Sequence, residues 1–196
     1  MKTIQTYFVM FVMLFATAVT ANDIFIEQIG SLSDITITQQ GVDNRIGSAL
    51  TPTFFGGSSN ISTVEQIGSR NQLDLLLNGD NSIVTLSTTG NDNTETITCG
   101  VKTAVTCNNT TIDHTVSGDN NTLNTTIGAT TSSKMVITGD SNAITHTSTS
   151  SGVVSADLNV TGNSNTVELT QTGTLDKSIA INSTGSNNNI TVNQSN

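Results

Sequence analysis

The chain has 196 residues and a formal net charge of −9, and its 36 Thr, 23 Asn and 22 Ser make up about 41% of it. Charged residues reach only 11%, which excludes a self-repelling disordered tail. There is no Trp and one Tyr, and four of the seven aromatics (Tyr7, Phe8, Phe11, Phe15) lie in the first fifteen positions, so an ordinary globular core is excluded too. What remains is a fold that needs little apolar volume per residue and satisfies its polar groups by repetition.

Residues 1–21 read as a secretory signal peptide: Lys2 precedes the apolar run Phe8 to Phe15, and small residues lead to a cut after Ala21. A transmembrane anchor would need about 20 apolar residues. Without Lys2, residues 22–196 keep five bases against all fifteen acids, a net charge of −10. Nucleic acid and anionic membrane surfaces are therefore not expected as partners, because phosphate binding needs clustered Lys and Arg. A single secreted domain over 22–196 is expected.

Along that domain glycine recurs at steps of mostly 10 to 12 residues. The turn glycines are Gly30, Gly41, Gly68, Gly79, Gly90, Gly118, Gly139, Gly162, Gly173 and Gly185. Many are followed three residues later by asparagine, giving Asn44, Asn71, Asn93, Asn121, Asn142, Asn165 and Asn188. Gly, Asn, Asp and Ser tolerate positive φ or hydrogen-bond their own backbone, so each phrase predicts a tight turn. The segments between are rich in Thr, Val, Ile and Leu and alternate with period two, the pattern of strands with one inward face. Two strands and two turns take about 22 residues, as in the spacings 21, 23 and 23 from Gly118 to Gly139, Gly162 and Gly185.

A two-strand rung cannot bury its inner face alone, but stacked rungs can. The expected fold is all-β: a two-sheet β-solenoid of roughly seven to eight rungs, with strands about 4.8 Å apart and sheets about 10 Å apart. An antiparallel sandwich would share the periodicity. The inward amides favour the solenoid. Gln28, Gln39, Gln66 and Gln171 all stand two residues before a turn glycine, and parallel in-register stacking lets each amide bond its counterpart one rung away.

Glutamine two residues before glycine and asparagine three after it, in a unit of about 22 residues, resemble the curlin repeat of curli amyloid fibres. The best matches are Gln28-Ile-Gly30, Gln66-Ile-Gly68-Ser-Arg-Asn71 and Gln171-Thr-Gly173; elsewhere the glutamine place holds Leu77, Thr88, Val116, Ile137, Val160 or Ser183. The resemblance implies a bacterial, secreted, cell-surface subunit. It would leave through a dedicated outer-membrane pore, meet a nucleator, self-associate end to end into fibres, and serve biofilm matrix and surface adhesion. A monomeric secreted solenoid acting as an adhesin or ice-binding module is the alternative.

Two insertions break the period. Residues about 48–60 hold the only Pro and the pair Phe54-Phe55, and read as a bulging loop. Residues about 99–111 hold Cys99 and Cys107, expected to form one local disulfide in an exported chain. At Gly128 the inward parities counted from either side disagree, which predicts a bulge. No catalytic, metal or cofactor site is expected, and no small-molecule substrate. His114 and His146 fall on inward parity in different rungs without a partner at ligand spacing, and Asp80, Asp119 and Asp140 read as turn formers rather than calcium ligands.

Overall fold

The computed structural model describes residues 9–11 and 22–195, apart from 42, 69, 91, 101–106, 119, 129–130, 140, 150–152, 163, 174–175 and 186. The described residues contain no helix and form two parallel sheets stacked as a β-solenoid of about seven turns. Sheet A holds β1 (Val9–Phe11), β4 (Asp34–Gln40), β7 (Ile61–Ile67), β9 (Ile83–Thr89), β11 (Thr110–Ser117), β13 (Thr131–Thr138), β15 (Val154–Thr161) and β17 (Lys177–Thr184), in that order. Sheet B holds β2 (Asn22–Ile24) and β3 (Glu27–Ile29), β5 (Asn44–Ile46) and β6 (Thr53–Gly56), then β8 (Gln72–Asn78), β10 (Thr94–Cys99), β12 (Thr122–Ile127), β14 (Ala143–Ser148), β16 (Thr166–Gln171) and β18 (Asn189–Gln194). Every pairing is parallel, because each strand meets the strand one full rung later in the chain.

Period-two alternation gives the six- and seven-residue strands three inward places and β11, β13 and β15 four, and the register lines them up. In sheet A the middle column runs Ile37, Val64, Leu86, His114, Met135, Leu158, Ile181. In sheet B the corresponding column runs Thr53, Leu75, Ile97, Thr125, His146, Leu169, Val192. Inside the rod these places are buried: Leu158 and Leu169 are 0% exposed.

The glycine column in the A-to-B turns has a steric origin. A Cβ on Gly118 would overlap the carbonyl oxygen of Gly90, and one on Gly162 would overlap that of Gly139, so any larger residue would push two rungs apart.

The first insertion is smaller than the sequence implies. Phe54 and Phe55 belong to β6, not to a loop, because Thr53 and Phe55 continue the inward parity opposite Leu75 and Leu77. The bulge is confined to residues 47–52, which leave the strand between β5 and β6 at Gly47, where φ is 70° and the backbone of Asp74 and Thr53 crowds the Cβ position. At the second insertion Cys99 ends β10 and is bonded to Cys107 with a Cα–Cα distance of 5.6 Å; residues 101–106 lie outside the described set. Gly128 follows the end of β12 and sits in the turn rather than in a strand bulge, so the parity changes between strands. Of the segment expected to be a leader, 1–8 and 12–21 lie outside the described residues; 9–11 pair with β4.

Replacing Leu158 by Ala should cost about 3 kcal/mol, the usual range for a buried leucine in a site that cannot collapse. The half-exposed Val192 in the last rung should cost less than about 1 kcal/mol when changed to Ala. Denaturant unfolding of the monomeric chain measures both, and equal losses would contradict the buried-column assignment.

Candidate functional site: amide ladders and the two ends of the rod

Asparagines in the A-to-B turns form a continuous side-chain ladder. The Nδ2 of Asn93 donates to Oδ1 of Asn71 at 2.7 Å, Asn121 to Asn93 at 2.6 Å, and Asn142 to Asn121 at 2.7 Å. Asn165 then donates to Asn142 at 2.6 Å and Asn188 to Asn165 at 2.7 Å. Asn44 occupies the same column but departs from it: its Nδ2 donates to the carbonyl of Ile67 at 3.1 Å. Among the described residues the facing Oδ1 of Asn44 and Nδ2 of Asn71 have no partner.

The four glutamines do not form one ladder. Gln39 and Gln66 stack in sheet A, with Gln66 Nε2 donating to Gln39 Oε1 at 3.0 Å and to the carbonyl of Gln72 at 3.1 Å. Gln28 and Gln171 lie in sheet B at opposite ends of the rod, in the column Gln28, Phe55, Leu77, Cys99, Ile127, Ser148, Gln171, Gln194. The −2 place precedes a B-to-A turn at Gly30 and Gly173 but an A-to-B turn at Gly41 and Gly68, and an 11-residue count does not distinguish the two turns. Gln28 donates instead to Ser33 Oγ at 2.5 Å and to the carbonyl of Gly30 at 3.3 Å. The turn glycines divide in the same way: Gly41, Gly68, Gly90, Gly118, Gly139, Gly162 and Gly185 share one edge, whereas Gly30, Gly79 and Gly173 lie in turns that lead from sheet B to sheet A.

Asn60 and Glu95 are also part of the buried polar network. Asn60 stands three residues after Gly57, the same spacing as the other phrases, and caps the opposite edge: it donates to the carbonyls of Gly56 and Gly57 and accepts from the Ser33 amide at 3.0 Å. Glu95, two residues after Asn93, is inward by the same parity that marks Leu73 and Leu123. Its Oε2 meets His114 Nε2 across the core, and both side chains are buried. This pair sets Glu95 and His114 in adjacent rungs and breaks the apolar columns at mid-rod. His146 lies one rung beyond, over Thr125 and under Leu169, with neither ring nitrogen partnered among the described residues. Burial lowers its pKa from 6.5 to about 4, so it is held neutral.

Nothing else converges. Among the described residues no group of three His, Cys, Asp or Glu is placed to hold a metal ion. Asp80 accepts from the Asn108 amide at 2.8 Å and so shapes a turn; Asp119 and Asp140 lie outside the described residues. Two shallow cavities flank the 47–52 loop, about 420 Å³ beside Phe25, Ile26 and Pro52 and about 260 Å³ beside Asp74 and Thr96, and neither gathers a catalytic set. The chain matches no protein-family model, no curated protein and no solved structure.

That leaves the ends. In β18 every residue is exposed, and Ile190 and Val192, at 44% and 49%, stand in columns whose members one rung below, Val167 and Leu169, are 1% and 0% exposed. At the other end Ile24 and Ile26 are partly buried and Gln28 Oε1 has no partner among the described residues. The first and last strands of sheet B carry the same series on the same register places, Ile24, Ile26, Gln28 and Ile190, Val192, Gln194, with Asn22 and Asn188 preceding them in the chain.

Cutting the asparagine ladder at its centre with Asn142→Ala removes a donor and an acceptor from two buried neighbours and should cost about 2 to 4 kcal/mol. Asn44→Ala, outside the ladder, should cost about 1 kcal/mol by the same unfolding assay. For His146 the folded pKa lies below the unfolded one, so the stability tied to its neutral form is complete above pH 6.5 and declines as pH falls toward 4. Unfolding midpoints at pH 7 and pH 5 should therefore differ less in His146→Leu than in the native chain; an unchanged difference would refute this.

Proposed function

We propose that this chain is a secreted curlin-like structural subunit that stacks end to end into extracellular fibres serving biofilm matrix and surface adhesion. The observation that carries the reading is the match between the two end strands of sheet B. Setting residues 22–28 of one copy on residues 188–194 of another, in the register used inside the rod, places Asn22 on Asn188, Ile24 on Ile190, Ile26 on Val192 and Gln28 on Gln194. Two half-buried apolar columns would close. The buried Gln171 amide, unpartnered among the described residues, would sit at the foot of a three-glutamine series Gln171, Gln194, Gln28. Unpaired edge N–H and C=O groups would gain partners at the same time.

Export through an outer-membrane pore and encounter with a nucleator are the further expectations that the curlin resemblance adds. A second reading, a monomeric binding solenoid, draws on one outer column of sheet B, in which Thr98, Thr126, Thr147 and Thr170 stand in register over four rungs.

In thioflavin-monitored growth with electron microscopy, Val192→Asp should slow elongation by at least about tenfold, since it buries a charge at the junction. Thr191→Asp, which adds the same charge on the outer face of β18, should leave growth close to native. Equal effects of the two, or a native chain that remains monomeric at high concentration, would reject the stacking reading. A lasting monomer that inhibits ice recrystallisation would favour the second.

A further inference from the structure

The two ends of the rod are not alike. At the C-terminal end the last rung is complete, with β17 in sheet A and β18 in sheet B. At the N-terminal end sheet B begins one rung earlier, with 22–29, than the seven-residue strand β4 in sheet A. The empty half-rung in sheet A is taken by residues 9–11, which pair in parallel with β4 as Val9 with Asp34, Met10 with Ile35 and Phe11 with Thr36. Ile35 and Ile37 are 5% and 2% exposed, with β1 the only described strand of sheet A beyond them and Ile24 and Ile26 of sheet B packed against the same core, whereas Ile181, in the Ile37 column at the other end, is only partly buried.

We infer that the edge of β4 at Asp34–Thr36 is a docking site for one parallel strand, filled by residues 9–11 of the uncleaved chain and opened when residues 1–21 are removed. A three-residue edge strand itself leaves few free N–H and C=O groups, while its loss uncovers the edge of β4 over Asp34–Thr36. This rests on the reading of 1–21 as a removable leader. It also qualifies the stacking reading. In a head-to-tail pair joined through sheet B, β17 of one copy and β4 of the next face each other across the width of one strand. Sheet A is then continuous only if residues 9–11, or a strand like them, occupy that place.

Hydrogen exchange read by mass spectrometry over residues 34–36 tests the inference on monomeric protein at concentrations too low for assembly, so its outcome does not depend on fibre formation. Three forms are compared: the full chain, residues 12–196 and residues 22–196. Exchange of the amides within 34–36 that face β1 should be at least about tenfold faster in both truncated forms than in the full chain, with β13 and β15 unchanged as internal reference. Equal protection in all three forms overturns the inference. So does protection in 12–196 that matches the full chain, because the cover would then come from residues 12–21. The N-terminal residue of the exported protein tests the leader reading separately.

Discussion

Everything in this rod follows from parallel stacking of equivalent residues one strand spacing, about 4.8 Å, apart. At that distance each side chain's nearest neighbour is the residue at the same place in the next rung, and the place tolerates only residues that suit themselves. Glycine at the A-to-B turn is the strictest case, since its Cα lies against the carbonyl of the glycine below. Asparagine three residues later is the next, because a primary amide both donates and accepts and so can be repeated without leaving an unmatched group. Together they fix register. A slip of two residues would preserve the inward parity of every strand but would drive a Cβ into a glycine carbonyl and break the amide ladder.

The division of labour among the other interactions is uneven. The apolar columns supply most of the stabilisation, because burial of Ile, Val and Leu is worth about 1.5 to 3 kcal/mol each while a net hydrogen bond is worth about 1. The ladder's larger effect is on uniqueness, since a buried amide out of register has no partner. Charge plays a similar part outside. Arg70 lies between Asp43 and Asp92 of the neighbouring rungs, and Lys134 stands between Asp113 and Asp157 on the outer face of sheet A. Such exposed pairs add little stability. They do oppose a rung-for-rung shift, which would set like charges together.

The periodicity, inward parity, rung length and turn residues were legible in the sequence because each repeats, and repetition is what a single sequence displays best. What was not legible depends on which of the two half-periods a residue occupies. Gln28 and Gln171 carry the local pattern of Gln39 and Gln66, yet fall in the other sheet. Phe55 looked like loop because the interruption before it hid the resumption of parity at Thr53. The Glu95 and His114 contact joins residues nineteen apart, across two sheets and two rungs, a separation that no one-dimensional period marks. Parity placed His114 inward, and Glu95, two residues after Asn93, falls on the same count.

That pair, with His146 above it, also bears on why the repeat is irregular in the middle and regular at the ends. The series of asparagine, two apolar residues and glutamine occurs in 22–28, 165–171 and 188–194. Between them the same places hold Glu95, Thr125, His146, Ser148, Cys99 and Ile127. An interior rung contacts only its own two neighbours in the same chain, so mismatched partners such as glutamate and histidine can be fitted to each other once and for all. An end rung has no such fixed partner, and if copies meet it must suit a strand of another molecule in the same way that it suits its own. Strands that resemble one another would satisfy that demand with the fewest special contacts, and 22–28 and 188–194 are such strands.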